Sequence, residues 1–105
     1  MKRLVDEVKD LQYPDGPIIM AQVENEYGSY GSNHDYMNAL VDALKEYGMT
    51  KSQLYTTDGY NQIKHGQANG AYPTVDFGVS SADDVKRHFE EQREVSKCGE
   101  CRAHV

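Results

Sequence analysis

Two glutamates and an asparagine stand together at Glu24-Asn25-Glu26, directly after the nearly unbroken apolar run Ile18-Ile19-Met20-Ala21-Gln22-Val23 and before Tyr27-Gly28. Carboxylates gathered at one site perform general acid–base work when their surroundings push their pKa values apart. Cleavage of a glycosidic bond is chemistry of this kind: one carboxylic acid protonates the leaving oxygen and a second carboxylate acts from the opposite side. The two carboxyls lie roughly 5–5.5 Å apart in retaining enzymes and roughly 6.5–9.5 Å apart in inverting ones. In an extended strand Glu24 and Glu26 share one face and Asn25 takes the other. Two acids on one strand rarely flank a sugar, so the partner of any catalytic glutamate here is expected from a different strand. Two solvated loop acids fit the spacing equally well.

The elements that would position these groups are legible in outline. The run Ile18 to Val23, apolar on both sides, predicts a strand of a parallel sheet covered on both faces. Acids at its C-terminal end then lie where α/β folds place their active sites. Leu4, Val5, Val8 and Leu11 recur at helical spacing before it, and Tyr13-Pro14-Asp15-Gly16-Pro17 ends that helix. After the glycine- and serine-rich segment from Gly28, Ser32 or Asn33 is the expected N-cap of a helix with Met37, Leu40, Leu44 and Tyr47 on one face, stopped by Gly48. Gln53 to Thr57, closed by Asp58-Gly59, predicts a second strand. A polar loop from Tyr60 to Gly70, with room for a short helix, precedes a third strand over Tyr72 to Val79 whose Pro73 suits an edge or strand start. Ser80-Ser81 caps a last helix with Asp83 and Asp84 in its first turn and an apolar stripe of Val85 and Phe89. From Val95 onward no periodicity is visible. Strands alternating with helices imply right-handed crossovers and a parallel sheet.

At 105 residues the chain is one domain at most, and its formal net charge of −6 argues against a nucleic-acid footprint. No apolar run approaches the roughly 20 residues of a membrane span, and no signal peptide is visible at the N-terminus. Eight tyrosines with no tryptophan suit half-buried positions or sugar-binding faces.

The block Gly16-Pro17-Ile18-Ile19-Met20-Ala21-Gln22-Val23-Glu24-Asn25-Glu26-Tyr27-Gly28-Ser29-Tyr30-Gly31 resembles the signature of glycoside hydrolase family 35, the β-galactosidases. The resemblance continues through Leu54-Tyr55-Thr56-Thr57-Asp58-Gly59 and Tyr72-Pro73-Thr74-Val75-Asp76-Phe77-Gly78, covering roughly residues 4 to 93. It implies an α/β fold, a partial TIM (β/α)8 barrel of about three βα units beginning at the strand that resembles the fourth. Residues 1–94 would be a partial catalytic domain and 95–105 a divergent tail. By the same resemblance Glu26 is the catalytic acid/base and Asn25 binds the 2-hydroxyl of the sugar; Glu24 belongs to the motif but takes no catalytic role from it, and a supporting one is our own expectation. The implied reaction is retaining hydrolysis of terminal β-D-galactose from a β-galactoside substrate. No cofactor and no metal are implied, and residence would be lysosomal or secreted.

The pattern departs from the family after Arg93, where a Ser-Glu strand bearing the nucleophile is expected and Val95 to Val105 stands instead. Glu90, Glu91, Glu94 and Glu100 do not match that context. The chain is thus expected to be an inactive fragment by itself. Cys98-Gly99-Glu100-Cys101 with His104 is half of a zinc or redox pattern and lacks its second half. Asp76-Phe77-Gly78 lacks the other kinase motifs, and Gly28-Ser29-Tyr30-Gly31 lacks the third glycine of a dinucleotide loop. A rival reading is a small α/β binding or signalling module using Asp58 or Asp76 at a strand tip.

Overall fold

The structure is a computed structural model that describes residues 1–97. Helix α1 (Lys2–Val8) runs into a 3₁₀ turn at Lys9–Leu11, and strand β1 (Met20–Gln22) follows. Helix α2 (His34–Tyr47), strand β2 (Gln53–Asp58), the short helix α3 (Ile63–Gly66), strand β3 (Tyr72–Val75) and helix α4 (Ala82–Ser96) complete the order. The three strands form one parallel sheet in the order β1-β2-β3, with Ala21 opposite Leu54 and Thr56 opposite Pro73. Because the strands are parallel, their C-terminal ends open on one side, carrying Glu26, Asp58 and Asp76 together.

Local chemistry explains the helices. The Asn33 side chain accepts the Tyr36 amide at the start of α2, and the Gly48 amide closes its end on the Leu44 and Lys45 carbonyls. Ser81 caps α4 in the same way through the Asp84 amide, and Asp83 and Asp84 complement the dipole of its first turn. Met37 and Val41 of α2 pack with Val5, Val23, Met49 and Leu54 in the main core. Ile63 and Val95 form a smaller cluster beneath α4. No helix among the described residues is long and apolar enough to cross a membrane.

A buried glutamine fastens α1 to the sheet. Gln12 donates from Nε2 to the carbonyls of Lys9 and Gly48 at 2.7 and 2.9 Å. Its Oε1 accepts the Ser52 amide at 3.0 Å, the Ser52 hydroxyl at 2.9 Å and the Lys51 amide at 3.1 Å.

Four expectations are corrected. The strand expected over Ile18 to Val23 shortens to Met20–Gln22, and it is not covered on both faces: Ile19 is 62% and Met20 41% exposed. β1 lies at the margin of the sheet, where among the described residues a partner strand exists on one side only. The third strand stops at Val75 instead of Val79, because among the described residues no neighbouring strand continues beyond Asp58 to pair with it. Helix α4 continues through Val95 to Ser96, and Val95, not Phe89, is its buried anchor, Phe89 being 44% exposed. Finally, Glu24 and Glu26 do not lie on an extended strand, as described next.

Candidate active site

β1 ends at Gln22, and the chain then coils. Glu24 and Glu26 both have left-handed backbones, with φ of 61° and 51°. A left-handed conformation costs a non-glycine residue about 1–2 kcal/mol, so two such acids flanking Asn25 concentrate strain at one point. The coil is held by β2. The Val23 amide donates to the Tyr55 carbonyl at 2.8 Å, and the Glu26 amide donates to the Thr57 carbonyl at 3.1 Å. The left-handed turn therefore delivers Glu26 to the end of β2, not of its own strand.

Glu26 meets Asp76 there. A hydrogen bond between the two carboxyls, reinforced by their like charge and by partial desolvation, raises the Glu26 pKa above the usual carboxylate range. Two neighbouring carboxyls disfavour double ionisation, so Asp76 makes the proton on Glu26 harder to remove. Asp76 is itself placed by the Thr57 hydroxyl, which donates to its Oδ2 at 3.1 Å, and by its own amide on the Asp58 carbonyl at 3.0 Å. A carboxyl whose pKa is raised is suited to serve as a general acid.

Asp58 lies beneath this pair with none of its surface exposed. Its Oδ1 accepts the Gly28 amide at 2.8 Å, while Oδ2 has no hydrogen-bond partner among the described residues. Burial pushes its pKa up to about 6; the Gly28 bond opposes the shift, and the charges of Asp76 and Glu26 add to it. Glycine is required on both sides of this carboxyl. A β-carbon at Gly28 would overlap the Gln62 carbonyl oxygen, and one at Gly66 would overlap the Asp58 carboxyl itself.

The remaining groups form a rim. Gln22 Nε2 donates to Asn25 Oδ1 at 2.9 Å and to the Glu24 carbonyl at 2.8 Å, and the Tyr55 hydroxyl donates to Gln22 Oε1 at 3.1 Å. Asn25 is thereby oriented through its oxygen. The Tyr36 hydroxyl donates to Glu24 Oε2, a bond that raises the phenol pKa, and the Tyr36 ring lies 5.1 Å from that of Tyr27. Phe77 and Tyr60 both pack on His88, with centroids 4.8 and 5.0 Å away.

Glu26, Asn25 and Glu24 thus stay together at the mouth of the sheet. Asp76 and Asp58 join them, although spacing along the chain had pointed to them only for a rival function. Glu91 does not join them; its carboxylate accepts the Asn61 amide at 2.9–3.0 Å. Cys98 and Cys101 lie outside the described residues, among which no cluster of His, Cys, Asp and Glu could hold a metal.

The same sequence matches the model of glycosyl hydrolases family 35 over residues 1–99. The chain belongs to glycosyl hydrolase family 35. Among family relatives, it is 41% identical over 95 residues to a protein named beta-galactosidase from Mus musculus, covering 83% of this chain and 15% of that protein. It is 41% identical over 86 residues to beta-galactosidase 1 of Dictyostelium discoideum, covering 74% of this chain and 13% of the relative. It is 38% identical over 100 residues to the beta-galactosidase of Homo sapiens, covering 91% and 14%. The family 35 chain described here therefore spans about one seventh of the length of the curated relatives it matches.

Proposed function

We propose that this family 35 segment is the acid/base portion of a retaining β-galactosidase, and that its three parallel strands are consecutive members of a (β/α)8 barrel. The observation that carries the reading is the pairing of Glu26 with Asp76, which raises the pKa of a glutamate at the C-terminal mouth of a parallel sheet. Glu26 protonates the glycosidic oxygen as it leaves and then deprotonates the water that resolves the covalent sugar–enzyme ester. Asn25 offers its NH₂ to the sugar's 2-hydroxyl. Nothing in these steps requires a metal or cofactor.

The nucleophile must come from another strand. Asp76 does not suit that role, because it interacts directly with Glu26, whereas a retaining pair is held roughly 5–5.5 Å apart across the scissile bond. The 105 residues by themselves therefore release no galactose. A phosphate-accepting or other signalling role for Asp58 would need access to its carboxyl, and its complete burial favours the hydrolase reading.

The test is a chimaera in which residues 4–93 replace the matching stretch of the mouse relative. It is expected to hydrolyse nitrophenyl β-galactoside, and Glu26→Gln should lower turnover about 10²–10⁴-fold. In Glu26→Ala, azide should restore release of the nitrophenol, because an anionic nucleophile needs no general base. Undiminished turnover in Glu26→Gln sinks the assignment.

A further inference from the structure

We propose that Asp58 is a positioning residue whose buried carboxylate holds the Glu26–Gly28 segment on the end of β2, so that the placement of Glu26 depends on the charge of Asp58. The inference rests on the reading of Glu26 as the acid/base and adds to it the group that aims it.

Adjacent residues of β2 grip this segment twice. The Thr57 carbonyl takes the Glu26 amide at 3.1 Å, and Asp58 Oδ1 takes the Gly28 amide at 2.8 Å. The first is an ordinary backbone bond. The second is charge-assisted whenever Asp58 is ionised, and such bonds are roughly twice as strong as neutral ones. The pocket is shaped for a carboxyl, since Gly28 and Gly66 both lack the side-chain carbon that would fill it. A buried carboxylate oxygen without a partner is costly for stability alone, and Oδ2 is such an atom. A site shaped only for packing would be apolar.

Three titratable groups face Asp58 from the surrounding elements: Glu26 beyond β1, Asp76 beyond β3 and His65 on α3. The two acids favour its protonated form and the histidine its ionised form. Protonation of Asp58 weakens the hold on Gly28 and removes a negative charge from beside Glu26. The two acids are thus coupled through one loop amide and through space.

NMR of the isotope-labelled chain tests this without any need for catalysis. The Gly28 amide shift should titrate with a midpoint near 6, and the amide should exchange slowly with solvent. Asp58→Asn retains only a neutral acceptor for Gly28, so it should abolish that titration, lower the Glu26 carboxyl midpoint and leave Gly28 exchange at pH 7 faster than in the unaltered chain but slower than in Asp58→Ala. Asp58→Ala should accelerate Gly28 exchange about tenfold or more, with the core amides of Val41 and Leu54 reporting whether the fold survives. If Asp58→Ala unfolds, Asp58→Asn decides. A Gly28 shift that is flat from pH 4 to 8, a titration that persists in Asp58→Asn, or free-peptide exchange at Gly28 in the unaltered chain overturns the proposal. An inactive chimaera with all of these NMR results intact would instead sink the hydrolase reading alone.

Discussion

The Glu26 amide is hydrogen-bonded to the Thr57 carbonyl at 3.1 Å, so the acid of one strand is built onto the tip of the next. Thr57 also donates its hydroxyl to Asp76 at 3.1 Å, and one residue therefore sets both members of the carboxyl pair. Thr57→Val removes the hydroxyl and leaves the backbone bond. In the chimaera it should lower turnover by less than Glu26→Gln does, and a loss as large as that of Glu26→Gln would contradict this division of roles.

The Glu26–Asp76 contact predicts a pH effect of definite sign. Asp76 raises the Glu26 pKa, so Asp76→Asn should return it toward the ordinary carboxylate range. The acid would then lose its proton earlier on the alkaline side. The alkaline limb of the chimaera's kcat profile should move to lower pH, and a limb that stays in place would separate Asp76 from the function of Glu26.

Asp58 predicts how stability changes with pH. Its folded pKa of about 6 lies above the ordinary aspartate value of 3.8, so the folded state binds its proton more tightly than the unfolded chain does. Stability should therefore be greatest below the unfolded pKa and fall as pH rises through the folded one, by roughly 2–3 kcal/mol from this group. The raised Glu26 pKa contributes with the same sign. Urea denaturation at pH 4, 5, 6 and 7 measures the decline, and Asp58→Asn, which cannot ionise, should flatten most of it.

Gly28→Ala places a methyl against the Gln62 carbonyl, a backbone group that cannot rotate away. The substitution should cost about 2–3 kcal/mol by overpacking, read as a shift in the urea midpoint. A neutral result would mean that the segment is not seated on α3 as described.

Gln12→Ala tests the link between α1 and the sheet. It strips partners from the buried Ser52 amide and hydroxyl as well as from the Gly48 carbonyl. Leaving such groups unsatisfied costs about 1–3 kcal/mol each, so a loss of at least about 2 kcal/mol is expected from the same measurement.

What could be read in advance follows the range of the interactions. Asn33, Gly48 and Ser81 act within one helical turn, and the helices they bound were legible from spacing and caps. The extent of β1 was not, because Ile19 and Met20 look like buried strand residues until the one-sided pairing is known. The left-handed turn at Glu26 left no trace either, since Asn25 is the more usual occupant of that conformation and the two glutamates beside it adopt it instead. The roles expected of Glu26 and Asn25 came from the family pattern and not from periodicity. Asp58 meets Gly28 across a separation of 30 residues, and Gln12 meets Ser52 across 40. Polar contacts of that span follow no repeat along the chain, so only the folded topology discloses them.

The alignment of the strands carries a last consequence. Thr56, Thr57 and Asp58 pair with Pro73, Thr74 and Val75, and Gln22 pairs with Tyr55. Sliding β1 by a single residue along β2 would turn its side chains to the opposite face and carry the Gly28 amide away, leaving the buried Asp58 carboxyl without that partner. The ionisable trio thus doubles as a proofreader of assembly, penalising mispaired sheets that hydrophobic matching alone would tolerate.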